Sequence, residues 1–304
     1  MIRKVSVLVV CVLALGAVAC GQQSKDQAVN VDTGLDAHAL AASADRTAQA
    51  GTAKVHLTMT VDAGSKAKGS MSSLPSMSGD GAYDTSSGLS AMTIDLGSSL
   101  IGKVETVQHG DISYVRMGAL DKVAPSLAGK WLKADGAKTK ALAGSSSSLL
   151  TGTNGVGDPS AILDYLKGAG ADITTVGHED VGGVDTTHVH ATVSMQQALD
   201  ASGADRAKLQ QSLDKMTGAG KAFTSLTLPI DVYVDGDGYV RRVMVDFDLS
   251  DSVGVKMQMT LDYSDFGQPV SITEPAAADT ADICDLYATQ AARHSTVTAP
   301  AGVC

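Results

Sequence analysis

The sequence predicts an α+β fold in which one large antiparallel β-sheet carries helices on a single face. Three observations predict this class. Apolar and polar residues alternate with a period of two over several segments, most clearly between Leu226 and Tyr263. Three shorter segments instead repeat their apolar residues at helical spacing. No linker divides the strand-like segments into two groups, so a single sheet accounts for all of them.

The first residues have the pattern of a secretion signal. Arg3 and Lys4 precede an uncharged apolar run that ends in small residues, so residues 1–19 are predicted to be removed at a small-residue cleavage site. A cysteine directly after such a site, here Cys20, is where a bacterial lipoprotein receives its diacylglycerol. An uncleaved membrane anchor and ordinary secretion are the alternatives, but about 15 apolar residues are fewer than the roughly 20 that span a bilayer.

The charge of the chain limits its partners. The whole chain carries a formal net charge of −10, and loss of Arg3 and Lys4 leaves 21 basic against 33 acidic residues. Nucleic acid is not expected as a partner, because phosphate binding needs a basic patch. Anionic headgroups would also repel the body, so a covalent lipid at Cys20 is needed to hold it at the outer face of the cytoplasmic membrane. The mature chain is expected to be a monomer.

The spacer and the first helix follow the lipidated cysteine. Residues 20–34 are polar and aperiodic, which predicts a lipidated N-terminus and a flexible spacer. From Asp36 onward, Leu40 and several alanines recur at spacings of three and four, which predicts a helix. Asp36 is expected to cap this helix and Gly51 to end it.

Strand-like segments follow Gly51. Four segments have a period-two or β-like pattern, and they cover residues 55–61, 92–96, 104–107 and 112–117. Residues 63–79 and 137–157 are interpreted as long loops, because glycine and serine are frequent in them. No strand is predicted within either loop.

The second half of the chain returns to helix and then to sheet. Helices are predicted at 158–168, opened by Asp158-Pro159, and at 204–216. Strands are predicted at 172–179, 184–193, 226–234, 243–249 and 255–263. The last three strands form a meander with one apolar face, and the turn at 235–238 joins the first two of them.

Catalytic and metal-binding motifs are missing from the sequence, so the chain is interpreted as a protein without enzymatic activity, cofactor or metal. His188 and His190 lie two apart on a predicted strand, where His178 from the preceding strand could join them around zinc. A third ligand at close spacing is missing, so a solvated histidine face is the favoured interpretation. Asp235 and Asp237 are interpreted as residues of a hairpin turn, because the remaining ligands of a calcium loop are missing.

Methionines occupy strand positions where β-branched residues would pack better. Met59, Met92, Met244, Met257 and Met259 lie in predicted strands. They are either ordinary core residues or the flexible walls of a cavity for acyl chains, since the unbranched methionine side chain adapts to its partner.

Two cysteines remain after the signal and the lipid site. Cys284 and Cys304 would be exposed to an oxidising compartment, so we expect them to form a disulfide bond in the C-terminal segment, 275–304. Two unpaired thiols are the alternative. This segment is predicted to contain a helix and the disulfide-closed tail.

Short phrases in a fixed order carry a family resemblance. They are 111–115 (DISYV), 129–133 (GKWLK), 158–159 (DP), 181–188 (VGGVDTTH) and 265–267 (DFG). In these phrases the sequence resembles the actinobacterial LppX/LprG-type lipoproteins, relatives of the lipoprotein carrier LolA. The likeness extends from about residue 35 to residue 275, and the segment 35–274 is therefore expected to form one LolA/LprG-like lipid-binding domain.

The resemblance implies a strongly bent sheet, a half-barrel, with helices over its concave face and a hydrophobic cavity between them. It implies a carrier that binds a lipid or acylated glycolipid and transports it in the cell envelope, with an envelope transport partner as a further possibility. A non-catalytic interaction or sensor lipoprotein without lipid cargo is the alternative. The residues expected to line the cavity are Val55, Leu57, Met59, Val61, Met92, Ile94, Val243, Val245, Phe247, Val255, Met257, Met259 and Leu261.

Overall fold

The structure is a computed structural model that describes residues 35–65, 67, 75–97, 102–136, 138, 172–194, 196, 225–293, 299 and 302–304. The described strands are β1 (Thr52–Ala63), β2 (Met77–Asp84), β3 (Leu89–Asp95), β4 (Lys103–His109), β5 (Ile112–Met117), β6 (Trp131–Ala134), β7 (Asp172–Val181), β8 (Val184–Ser194), β9 (Thr227–Asp235), β10 (Val240–Leu249), β11 (Val255–Ser264) and β12 (Thr280–Asp282). The described helices are α1 (Ala37–Gln49), α2 (Leu120–Val123) and α3 (Ile283–Arg293), with short 3₁₀ turns at Pro125–Leu127 and Ala277–Asp279.

The described strands form one sheet with the order β12-β6-β5-β4-β3-β2-β1-β11-β10-β9-β8-β7. Neighbouring strands are antiparallel except for β6 and β12, which are parallel. Since β1 pairs with β11, the N-terminal and C-terminal strand groups join in the middle of the sheet. The predicted fold class, one antiparallel sheet with helical cover on one face, is confirmed.

Helix α1 begins and ends where the sequence predicts. The Asp36 carboxylate accepts a hydrogen bond from the Ala39 N–H at 2.8 Å, as an N-cap residue does. Gly51 follows the helix with a φ of +80°, a conformation that glycine adopts without strain. Leu40 and Ala44 are fully buried and belong to the main hydrophobic core. This helix therefore covers part of one sheet face, which we call the core face.

The predicted strand segments around β1, β3, β4, β5 and β7 to β11 are confirmed. The turn between β9 and β10 is closed by Asp235, whose carboxylate accepts hydrogen bonds from the N–H groups of Asp237 and Tyr239 at 3.0 and 2.9 Å. Asp235 is buried, and its second oxygen accepts a hydrogen bond from Arg241 at 2.6 Å. The interpretation of this segment as a hairpin turn is correct.

Strand β2 is the main element that the sequence prediction missed. Residues 77–79 were assigned to a loop and 80–84 to no element, but Met77–Asp84 pairs with both β1 and β3. Gly79 and Gly81 lie on its core face, and a Cβ atom on Gly81 would be 2.5 Å from the Ala91 carbonyl oxygen of β3. The two strands therefore incline toward each other on this face, and glycine permits the bend.

The C-terminal segment forms the edge of the sheet beside β6. Strand β12 pairs with β6, and Ile283 and Leu286 of α3 pack against a small second core around Leu120 and Leu132. Cys284 and Cys304 form a disulfide bond, with their Cα atoms 5.7 Å apart. The predicted disulfide is thus present, and the alternative of two unpaired thiols is wrong.

Several predictions concern residues outside the described ones. These are the signal at 1–19, the spacer at 20–34 with Cys20, most of the loop at 137–157, and the helices at 158–168 and 204–216. They stay predictions.

Candidate functional site

The residues expected to line a cavity all lie on the core face. Val55, Leu57, Met59 and Val61 of β1 are paired with Tyr263, Leu261, Met259 and Met257 of β11. The last three of these are paired in turn with Val243, Val245 and Phe247 of β10. Met92 and Ile94 of β3 lie on the same face, because they are paired with Gly81 and Gly79 of β2, which are paired with β1. The strand register therefore places all of these residues on one face of the sheet, and their role in lining a cavity stays a prediction.

The part of the core face beneath α1 is fully covered. Val55, Val243 and Tyr263 are buried in the same hydrophobic core as Leu40 and Ala44 of the helix. Thr47 connects α1 to β10 through a hydrogen bond: its hydroxyl oxygen accepts from the Val240 N–H at 2.9 Å. Tyr83 donates to the Thr47 carbonyl oxygen at 3.5 Å.

A second part of the core face is only half-buried. It consists of Val61, Phe247, Met257 and Met259, which we call the half-buried band. Val61, Met257 and Phe247 lie side by side in three neighbouring strands. Beyond this band, at the turn between β10 and β11, Leu249 and Val255 are buried again.

Methionine is frequent in and around this band. Met257 and Met259 belong to the band, Met59 is paired with Met259, and Met77 of β2 is paired with Met59. Met59 is buried and Met77 is half-buried. Because methionine is unbranched and polarizable, this part of the core face can adapt its shape more easily than the valine-rich part.

Further buried residues of the core face lie on β8 and β9, whose residues are not among those expected to line the cavity. Val189 of β8 and Val232 of β9 are opposite each other and fully buried, and Ile230 and Val193 are also buried. The alternation in the sequence predicts these strands and their apolar face. It does not show which part of that face is covered.

The opposite face of the sheet, the outer face, carries most of the ionisable side chains. His188 lies there between two carboxylates: Nδ1 is 2.8 Å from Glu179 Oε1 and Nε2 is 2.8 Å from Asp231 Oδ1. His190 Nδ1 is 2.9 Å from the same Asp231 oxygen. The His188 ring also stacks on Tyr233, with ring centroids 4.4 Å apart.

The interpretation of a solvated histidine face is wrong for His188, which is only 9% exposed. Its two nitrogens are occupied by carboxylates from β7 and β9, so the ring is a structural connection between three strands. His178 is not part of this cluster; it is 3.5 Å from Asp185 instead. Burial, followed by the negative charges of Glu179 and Asp231, raises the pKa of Tyr233.

Among the residues that the structure describes, no group of three or more His, Cys, Asp or Glu side chains is arranged to bind a metal ion. Within the same residues, none of the helices combines the length and the apolar character that a membrane crossing requires.

Comparisons with known proteins give a distant relative and similar solved structures. No family model matches the sequence. A curated relative is an uncharacterized 31.2 kDa protein from the rplA–rplJ intergenic region of Streptomyces griseus. It is 28% identical over 230 residues, which are 71% of this chain and 72% of the relative.

Two similar solved structures are mycobacterial lipoproteins. LppX from Mycobacterium tuberculosis is 15% identical with a TM-score of 0.42, and the match covers 78% of this chain and 99% of LppX. LprF from Mycobacterium bovis is 17% identical with a TM-score of 0.41, and the match covers 79% of this chain and 97% of LprF.

Proposed function

We propose that the mature protein is a lipoprotein anchored through Cys20 at the outer face of the cytoplasmic membrane. Its core face binds the acyl chains of a lipid or acylated glycolipid, and the protein carries this lipid within the cell envelope. The binding region is the half-buried band together with the neighbouring methionines.

The observation that supports this proposal most directly is the position of the half-buried band. Val61, Met257 and Phe247 lie on the core face between the residues buried beneath α1 and the buried pair Leu249 and Val255 at the turn between β10 and β11. Ala63, which is paired with Val255, is exposed. Apolar surface left in contact with water is unfavourable by roughly 25 cal/mol per Å². An acyl chain that covers the band would remove this surface from water.

The chemistry of the band favours an acyl chain over a polar ligand. Its members are aliphatic, aromatic or thioether side chains. Apart from Arg241, which lies at an irregularity near the start of β10, the charged residues of the same strands alternate with them and therefore lie on the outer face. Ligand sites for polar molecules contain a few converging hydrogen-bonding groups. The band offers van der Waals contacts instead.

A carrier without catalytic activity fits the distribution of ionisable groups. The described histidine and carboxylate cluster around His188 lies on the outer face, where Glu179 and Asp231 already hold both ring nitrogens. These groups are on the opposite side of the sheet from the band. We therefore propose binding and transport rather than hydrolysis of the lipid.

The test is to identify lipid bound to the protein. The chain is produced in an actinobacterial host with Cys20→Ala, so that it carries no covalent lipid, and bound lipids are extracted and analysed by mass spectrometry. We expect a lipid or glycolipid in a molar ratio near one. Protein that is folded but lipid-free, and that takes up no lipid from vesicles, would contradict the proposal and favour an interaction or sensor lipoprotein.

A further inference from the structure

A long segment without strand or α-helix, which ends in the 3₁₀ turn Ala277–Asp279, crosses the outer face of the sheet. It runs from Asp265 to Asp279, and we call it the strap. Before it, β11 lies in the middle of the sheet; after it, β12 lies at the edge beside β6. Six strands, β1 to β6, separate these two positions, so the strap connects the centre of the sheet with one edge.

The first part of the strap is fastened to β1. The Gly267 N–H donates to the Thr52 carbonyl oxygen at 2.9 Å, and the Thr52 hydroxyl donates to the Gln268 carbonyl oxygen at 2.7 Å. Asp265 and Lys54 form an ion pair at 2.7 Å. Since Thr52 and Lys54 alternate with the buried Ala53, these contacts are on the outer face.

Phe266 links the same part of the strap to α1. Its ring stacks on Tyr239, with centroids 4.7 Å apart, and the Arg241 guanidinium lies 4.8 Å from the Phe266 ring. On α1, the Arg46 guanidinium lies 5.3 Å from the Tyr239 ring. Cation–π and ring-stacking contacts of this kind stabilise the position of each partner. Arg46 of α1 and Phe266 of the strap therefore belong to one cluster of stacked rings and guanidinium groups.

Glu274 fastens the middle of the strap to β4 and β5. Its carboxylate accepts a hydrogen bond from the hydroxyl of Tyr114, which is buried, and lies 2.9 Å from His109 Nδ1. The pKa of Tyr114 is raised to about 12, first by burial and then by Glu274. The pKa of Glu274 is lowered by the Tyr114 hydrogen bond and then by His109.

The C-terminal end of the strap contacts the sheet at the edge formed by β6 and β12. The Lys130 ammonium donates to the Ala278 carbonyl oxygen at 2.6 Å, and Thr280 is then paired with Trp131 in the sheet. The edge is held further by α3, whose Ile283 packs against the second core.

Only six residue steps, from Gln268 to Glu274, connect the first two contact points of the strap. Thr52, Asp84, Leu89 and His109 lie in one row across β1 to β4, because each is paired with the next. Three to four strand spacings of about 4.8 Å separate Thr52 from His109 and Tyr114, or roughly 14 to 19 Å. The six steps from Gln268 to Glu274 span roughly 20 to 22 Å when fully extended. Pro269 within this stretch limits its flexibility further.

A short connection on the outer face restricts how far the sheet can bend. Greater bending toward the core face lengthens the path across the outer face, and six residue steps can span at most about 20 to 22 Å. We propose that the strap limits the bending of the β1–β6 half of the sheet, with Glu274 as its fastening side chain. This inference does not depend on lipid binding.

The test measures the bending directly. Spin labels are placed at Thr60→Cys in β1 and Lys122→Cys in α2, both exposed positions, in the mature chain with Cys20→Ala. Electron–electron distance measurements compare the parent protein with Glu274→Ala. A second label pair, Thr60→Cys and Thr174→Cys, reports on the half of the sheet that the strap does not cross. Asp80→Ala is the matched control variant, because it removes another carboxylate from a histidine on the outer face, at 2.7 Å from His56.

We expect Glu274→Ala to broaden the distance distribution between positions 60 and 122 toward shorter distances by about one strand spacing, roughly 5 Å. The distance between positions 60 and 174 should stay unchanged, and Asp80→Ala should alter neither. If Glu274→Ala leaves the first distance unchanged, or alters both distances equally, the inference is wrong. Should Glu274→Ala not fold, Glu274→Gln takes its place; a smaller broadening supports the inference and an unchanged distribution contradicts it.

Discussion

Val61 of β1 and Met257 of β11 lie directly opposite each other on the core face, and both are half-buried, whereas Met59 and Val255, each two positions away on the same face, are buried. In a well-packed domain core, few large apolar side chains stay half-buried. Under the proposed function, we expect an acyl chain to cover this pair.

Met257→Trp tests this position. The larger side chain occupies the space proposed for an acyl chain, so we expect loss of bound lipid with little change in the midpoint of thermal unfolding. In a tightly packed core, the same substitution would destabilise the fold by about 1 to 3 kcal/mol. Lipid content and thermal unfolding are measured on the same samples.

Met244→Trp is the control for this substitution. Met244 is half-buried on the outer face of β10, opposite Asp231 and Thr260, so its replacement should leave the lipid in place. A large loss of stability from Met257→Trp, in a protein that never contained lipid, would show that Met257 is an ordinary core residue.

The anchor and the fold are expected to be independent. Cys20→Ala should give a folded protein that is released from the membrane fraction, because polar residues separate Cys20 from Leu35, the first buried residue described. Cell fractionation and circular dichroism check the two parts of this prediction. Retention in the membrane fraction after signal removal would contradict the lipoprotein assignment.

The sequence predicts much of the sheet but not how its parts meet. Alternation predicts β1 and the meander β9 to β11, because each of these strands has one apolar and one polar face. It misses β2, where Gly79 and Gly81 replace the apolar residues and the signal disappears. The shorter strands are defined by pairing rather than by a pattern of their own: β6 pairs with β5 and β12, and β12 pairs with β6.

The histidine cluster could not be predicted for a different reason. Its partners on β7 and β9, Glu179 and Asp231, are separated from His188 by 9 and 43 positions in the sequence. Only the register between strands decides which carboxylates face the ring. The spacing of His188 and His190 suggests a shared face, and that part of the prediction is correct.

His188→Leu should destabilise the protein because it leaves the Asp231 carboxylate, which is mostly buried, without one of its partners. Loss of a partner from a buried polar group costs about 1 to 3 kcal/mol. Denaturant unfolding measures this loss. As a control, His56→Leu removes a more exposed histidine from Asp80 and should cost less than about 1 kcal/mol. Equal effects of the two substitutions would contradict a structural role for His188.

Removal of the disulfide should loosen the C-terminal segment. Cys284 and Cys304 are 20 residues apart, and a loop of this size corresponds to roughly 3 kcal/mol in the chain-entropy model. We expect Cys304→Ser, or reduction of the parent protein, to increase hydrogen exchange in α3 and β12. Hydrogen exchange in β9 and β10 should stay unchanged, since these strands are far from the edge formed by β12. Unchanged exchange in α3 would show that packing alone holds the tail.

The contribution of Glu274 to stability should depend on pH. Its folded-state pKa lies below the ordinary value of 4.5, because Tyr114 and then His109 form hydrogen bonds with the carboxylate and Lys133 adds a favourable charge. A carboxyl group with a lowered pKa stabilises the fold above its unfolded-state pKa, and this stabilisation is lost as the pH falls through the folded-state value. The parent protein should therefore unfold at a higher temperature than Glu274→Gln at pH 7, and the difference should shrink as the pH falls below 4.5 and disappear below the folded-state pKa. Thermal unfolding of both proteins across this range checks the prediction. A constant difference would mean that the charge of Glu274 does not fasten the strap.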